Sequence, residues 1–249
     1  MSIACAVDRE DIAPLMDAPG TYRINIAIDG PAGAGKSTVA RLVANALRYV
    51  YVDTGAMYRA VTLMALEAGL SPEDEEAIER LVQRLHIELI PGPDGQRVLV
   101  DGRDVTDRLR THEVNRAVAR VAGIGSVRKR MAELQRAMAK GKGVVMDGRD
   151  IGTHVLPDAE LKVFLTASPR ERALRRYRQL GGGAGVSLEQ LEREMAERDR
   201  LDEEREFAPL LRAPDARFLD TTGMGVDEVV ARIVEWSREA ARTFSEKEK

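Results

Sequence analysis

The chain has 249 residues, 44% hydrophobic and 32% charged, which suits one α/β domain with a sizeable core or two small domains. A formal net charge of −3 gives no overall basic field for recruiting nucleic acid. One cysteine, Cys5, excludes an internal disulfide, and three histidines without a metal-ligand spacing argue against structural zinc.

The first 22 residues carry Asp8, Glu10, Asp11 and Asp17 against a single Arg9 and lack an apolar core, so they read as a loose extension rather than a signal peptide. No apolar run approaches the ~18 residues of a membrane span. We expect a cytoplasmic chain with no membrane or nucleic-acid partner.

Arg23–Ile28 alternates Ile24, Ile26 and Ile28 and reads as a strand. Gly30-Pro31-Ala32-Gly33-Ala34-Gly35-Lys36-Ser37 follows and fits G-x-x-x-x-G-K-[ST] at every fixed position. Ser37–Leu47 then reads as a helix. Strand, glycine loop and helix are the context that phosphate binding needs. The backbone N–H groups curl inward and the helix N-terminus adds positive partial charge. Lys36 would reach the terminal phosphates, and the Ser37 hydroxyl would help hold Mg²⁺.

Val50–Val52 reads as a second strand, followed by Asp53-Thr54-Gly55-Ala56-Met57-Tyr58-Arg59. Thr54 is expected at a helix N-cap with Arg59 about one and a half turns on. That makes either a second anion site or a capped helix with a surface Arg. Ile87–Ile90 and Arg97–Val100 flank a Pro/Gly turn and read as an inserted hairpin.

Val144–Met146 reads as a strand ending in Asp147, the place of an acid acting on Mg²⁺, with Arg149 and Asp150 in the same loop. Lys162–Leu165 and Arg217–Leu219 complete a doubly wound parallel sheet, its strands largely separated by helices. Arg170, Arg172, Arg175, Arg176 and Arg178 crowd one helix, either for a triphosphate or as an exposed basic face. Gly181–Gly185 is a connector with four glycines. Ser187 and Gln190 form a capping box, with Leu188, Leu191 and Met195 as the buried stripe. Arg198, Asp202 and Arg205 share one face of that helix.

These blocks, in this order, resemble bacterial cytidylate kinase: Ile26–Thr38, Asp53–Arg59, Asp147–Thr153 and Arg198-Asp199-x-x-Asp202-x-x-Arg205. The resemblance runs from about Arg23 to about Arg242. It implies a P-loop nucleoside monophosphate kinase fold with a CORE (about 23–60, 140–177 and 206–242), an enlarged NMP-binding insertion (about 61–139) and a short LID (about 178–205).

It also implies an ATP:(d)CMP phosphotransferase, active as a monomer, with Mg²⁺ accompanying ATP. The loop Gly30 to Ser37 and Thr38 would hold ATP. Thr54, Arg59 and Arg149 would bind the CMP phosphate, and Arg128 and Asp150 the cytosine edge. Arg198 and Asp202 would hold the ribose and Arg205 phosphate. Lys36, Arg149, Asp150 and Arg205 would carry catalysis. Ala119 departs from the family, whose members commonly carry Ser there, which implies one fewer hydrogen bond to the base. A P-loop kinase for another small acceptor, UMP or a metabolite, is the alternative. A GTPase is disfavoured, because no Asn is followed by Lys.

Overall fold

The computed structural model describes residues 22–92, 95–182 and 185–247. The N-terminal extension with Cys5, Pro93 and Asp94 of the turn, and Gly183 and Ala184 of the glycine connector lie outside the described residues.

In chain order the elements begin β1 (Ile26–Asp29), α1 (Lys36–Leu47), β2 (Val50–Asp53), α2 (Thr54–Glu67), α3 (Glu75–Val82), β3 (Ile87–Gly92), β4 (Gly95–Val100) and β5 (Arg103–Asp104). Then come α4 (His112–Val121), α5 (Gly125–Ala139), β6 (Val144–Gly148), β7 (Leu161–Thr166), α6 (Pro169–Gln179), α7 (Leu188–Glu204), β8 (Arg217–Asp220) and α8 (Val226–Lys247). No helix among the described residues is long and apolar enough to cross a membrane.

The five expected strands form one parallel sheet in the order β2-β6-β1-β7-β8. Alternation in β1 decides the two cores. Ala27 joins Val52, Val144 and Met146 on one face, packed under α2, α3, α4 and α5. Ile24, Ile26 and Ile28 join Val145, Val163 and Leu165 on the other, against α1 and α8. Side chains alternate across a strand, so a fully buried strand feeds both layers.

The hairpin of β3 and β4 is antiparallel and separate from the main sheet, as its turn composition predicts. A third short strand, β5, pairs with β4 and has no apolar signature to announce it. Between β6 and β7 the chain makes a π-helical turn, Ile151–Val155, rather than a long helix.

Register brings the loops together. Asp29 stands opposite Gly148, and Asp53 opposite Asp147, so the chain leaves β1, β2 and β6 at one edge of the sheet. Ligands of doubly wound sheets bind at this carboxyl edge. Gly30 turns there with φ +147°, and a Cβ on it would lie 1.9 Å from the Leu165 carbonyl oxygen of β7. Only glycine lets the loop pass so close to the neighbouring strand.

Candidate active site

A cavity of about 1050 Å³ opens at this edge. Of the residues singled out above for binding or catalysis, all line it but Gly30, Pro31 and Ala34 of the loop and Arg170, Arg172, Arg175 and Arg178 of α6. Ten cationic side chains and six carboxylates face it, an excess of positive charge in a chain whose net charge is negative.

One end of the cavity is the N-terminus of α1. Gly35 is its cap residue, at φ +90°, and no side chain caps the helix. The leading N–H groups of α1 are therefore left for an anion. Lys36 is buried and donates from Nζ to the Pro31 carbonyl at 2.7 Å. Burial, with Arg149 nearby, pulls its pKa well below the ordinary lysine value; Asp147, Asp202 and Asp29 oppose this. Ser37 and Thr38 are exposed in the cavity.

Ser37 Oγ donates to Asp147 Oδ2 at 2.8 Å, and Tyr51 donates to Asp147 Oδ1 at 2.8 Å. Burial first, then Asp53, pushes Asp147 up to about 6; Lys36 and the two hydroxyls work against that. Tyr51 carried no recognisable motif in the sequence and is positioned only by the pairing of β2 with β6.

Ala32 departs from its expected part. Its N–H donates to Asp199 Oδ1 at 2.9 Å, and its carbonyl accepts from Arg172 Nη1 at 2.9 Å. Its amide is engaged by protein rather than left for phosphate. Arg172 and Arg175 likewise leave the group of triphosphate-facing arginines. Arg175 donates to Thr221, to the Ala34 carbonyl and to Glu171. Arg176 lines the cavity, whereas Arg170 and Arg178 are exposed.

At the other end, Asp53, not Thr54, caps α2, accepting from Ala56 N. Thr54 begins the helix and donates from Oγ1 to the Asp147 carbonyl at 2.6 Å, tying α2 to β6. Asp53 also pairs with Arg59 at 3.0 Å, and Arg110 approaches it at 3.5 Å. Gln96 of β4 bonds twice along the open edge of β2, accepting from Asp53 N and donating to the Tyr51 carbonyl. The hairpin is thereby docked at the mouth of the site. Arg110 and Gln96 belong to the inserted segment and carried no motif.

Deeper in, Arg128 and Asp150 meet at 2.6 Å, and Arg128 lies over the Tyr58 ring. Burial opposes the charge on Arg128, but Tyr58 and Asp150 outweigh it and hold its pKa above the ordinary value. Burial, then Arg128, pushes Tyr58 oppositely: burial raises its phenol to about 12 while Arg128 restrains it.

The loop carrying Arg149 and Asp150 is held from below by Asp29, which accepts from Ile151 N at 2.8 Å and Gly152 N at 2.7 Å. Arg149 donates from Nε to Asp202 at 2.7 Å, and Arg205 reaches the same carboxylate at 3.3 Å. Burial pushes Asp202 upward, but Arg149, Arg198 and Arg205 prevail and keep it below the usual carboxylate range. Arg198 is pulled down to about 10 by burial and by Arg149.

One feature of this end is chemically decisive. Arg59 Nε, Arg128 Nε, Asp150 Oδ2, Arg198 Nε and Arg205 Nη2 are buried, and each lacks a hydrogen-bond partner. Buried polar groups are nearly always paired. All five belong to residues that line the one cavity, a set suited to a polar ligand.

A family model for cytidylate kinase matches residues 26–239. The cytidylate kinase of Geobacillus kaustophilus (strain HTA426) is 58% identical over 214 residues, covering 86% of this chain and 96% of that one. The Bacillus subtilis (strain 168) cytidylate kinase is 50% identical over 221 residues, covering 88% and 99%. Among solved structures, a protein from Eubacterium ventriosum ATCC 27560 aligns with a TM-score of 0.50 at 13% identity over 88% of this chain and 99% of that one, which bears on the fold alone. With a matched domain running from β1 into α8 and relatives half or more identical across it, the chain belongs to the cytidylate kinase family.

Proposed function

We propose that the protein transfers the γ-phosphate of ATP to CMP or dCMP, giving CDP or dCDP and ADP. The observation that carries this reading is the shared cavity, with an uncapped P-loop helix at one end and the five unpaired polar atoms at the other.

At the donor end Lys36, the amides of Gly33 and Gly35 and the start of α1 bind the ATP phosphates, and Thr38 stands beside them. Ser37 Oγ and the Asp147 carboxylate are adjacent hard oxygen donors, a set that fits Mg²⁺. Ser37 and Asp147 would hold Mg²⁺, which would supply positive charge against the transferring group.

At the acceptor end Arg59, Arg149 and Arg205 bind the CMP phosphate, with Thr54 fixing the helix start beside it. Arg128 and Asp150 offer fork donors and an acceptor. These match the O2 and N3 acceptors and the N4 amino group of cytosine. Arg198 and Asp202 take the ribose.

The acceptor phosphate oxygen attacks the γ-phosphorus in line, and the bond to the ADP oxygen breaks. Positioning and charge neutralisation do most of the work. No general base is needed, because a nucleotide phosphate is largely ionised near neutral pH. Lys36, Arg149 and Arg205 stabilise charge on the equatorial oxygens.

The test is ADP release in the presence of CMP, dCMP, UMP and AMP. CMP and dCMP should raise it far above the rate without acceptor, and UMP less. Equal rates with every acceptor and with none would refute the reading. Faster turnover of UMP would favour the alternative acceptor.

A further inference from the structure

The peptide groups of Ala32 are gripped on both sides by side chains from outside the P-loop. Asp199 of α7 accepts its N–H at 2.9 Å, and Arg172 of α6 donates to its carbonyl at 2.9 Å. Arg172 and Asp199 are ion-paired with each other, and Arg172 Nε is fixed on the Ala167 carbonyl at 3.1 Å. Both side chains are buried. Beside them a Cβ on Gly33 would lie 2.3 Å from Met195 Cε, so the loop also sits directly on α7.

The same helix carries the acceptor residues. Arg198 adjoins Asp199, and Asp202 is one turn further and holds Arg149. A rigid path therefore runs from Ala32 through Asp199 and α7 to Asp202 and Arg149. Both Arg172 and Asp199 are spent on protein groups.

We propose that Asp199 and Arg172 are positioning residues that register the donor loop with the acceptor helix, so that disturbing them weakens both substrate sites at once. A shift of about 1 Å between reacting groups is enough to cost on the order of 100-fold in rate. A helix is stiff along its axis, so a displacement at Asp199 is passed to Asp202 rather than absorbed. The inference rests on the reading of α7 as the acceptor-binding helix.

Asp199→Asn keeps the volume and an oxygen for the Ala32 N–H but turns an amide donor toward Arg172. Binding of a non-hydrolysable ATP analogue and of CMP, each measured alone by calorimetry, is compared with kcat and both KM values. The expected result is a loss of about 10-fold or more in both affinities together with a lower kcat. A purely structural defect would reduce the active fraction and leave both dissociation constants unchanged. Weakened ATP-analogue binding with unchanged CMP binding, or no change in either, overturns the proposal. If the single variant does not fold, Arg172→Met with Asp199→Asn removes both buried charges together and carries the same expectation. Wild-type protein that binds CMP while the variant's CMP affinity is unaltered condemns the coupling alone. Wild-type protein that binds no CMP condemns the acceptor reading beneath it.

Discussion

Arg128 and Asp150 form an ion pair of 2.6 Å in which both side chains are at most 5% exposed, yet Arg128 Nε and Asp150 Oδ2 have no hydrogen-bond partner. We propose that this buried pair, with idle donor and acceptor capacity, reads the polar edge of the base. If Asp150 accepts from the N4 amino group of cytosine, Asp150→Asn should lower kcat/KM for CMP by roughly 100-fold, the scale on which a site built for a donor loses it. The ratio of CMP to UMP activity should fall with it, because the Asn amide can donate to the uracil O4. An unchanged ratio would remove Asp150 from base reading.

Arg59, which we assign to the acceptor half, is paired with Asp53. Arg59→Ala should raise KM for CMP by about 10- to 100-fold, the worth of one charge-assisted hydrogen bond. KM for ATP should change little. Initial-rate kinetics with each substrate varied in turn will check this. Equal losses for both substrates would contradict the separation of donor and acceptor ends.

Asp29 links pH to stability. Burial pushes its carboxyl up to about 7, against the hydrogen bonds from Gly152 and Ile151. The folded state thus keeps a proton that the unfolded chain sheds near pH 4. This group's contribution to stability is full below that pH and is lost as pH rises through about 7. Asp29→Asn removes the titration. The stability of wild type relative to the variant should therefore fall by about 2 kcal/mol between pH 5 and pH 7.5. Urea unfolding at both pH values measures it. A difference independent of pH would show that Asp29 keeps an ordinary carboxyl.

Gly30 and Gly69 separate steric from conformational demand. A Cβ at Gly30 would meet the Leu165 carbonyl oxygen at 1.9 Å, whereas Gly69, at φ +69°, has open space around it. Gly69→Ala should cost about 1–2 kcal/mol, the left-handed backbone penalty. Gly30→Ala should cost more, about 3 kcal/mol or above, because β7 or the loop must move. Thermal melts of both variants give the order. Equal shifts in Tm would refute the close approach.

Much of this was legible in the chain because the signals are local. The P-loop sits at the junction of β1 and α1, and the five parallel strands announce themselves by apolar runs. What was not legible depends on distant partners. Thr54 was expected as the cap, but Asp53 is better aimed, and the Thr54 hydroxyl goes to Asp147, 93 positions away. The arginines of α6 look alike in sequence. Only the fold turns Arg172 toward Asp199 and Arg175 toward Thr221. Ser187 does cap α7, but Gln190 sends its side-chain amide to Glu194 instead of back to the cap. Tyr51 and Gln96 enter the site through strand pairing and hairpin docking, neither of which leaves a motif.

The most direct measurement is the fate of the γ-phosphate. ATP labelled in that position is incubated with the protein, Mg²⁺ and CMP, and the labelled products are separated. The account predicts label in CDP, at its terminal phosphate, in amounts equal to the ADP formed. Label found in inorganic phosphate alone, or remaining in ATP, would contradict it.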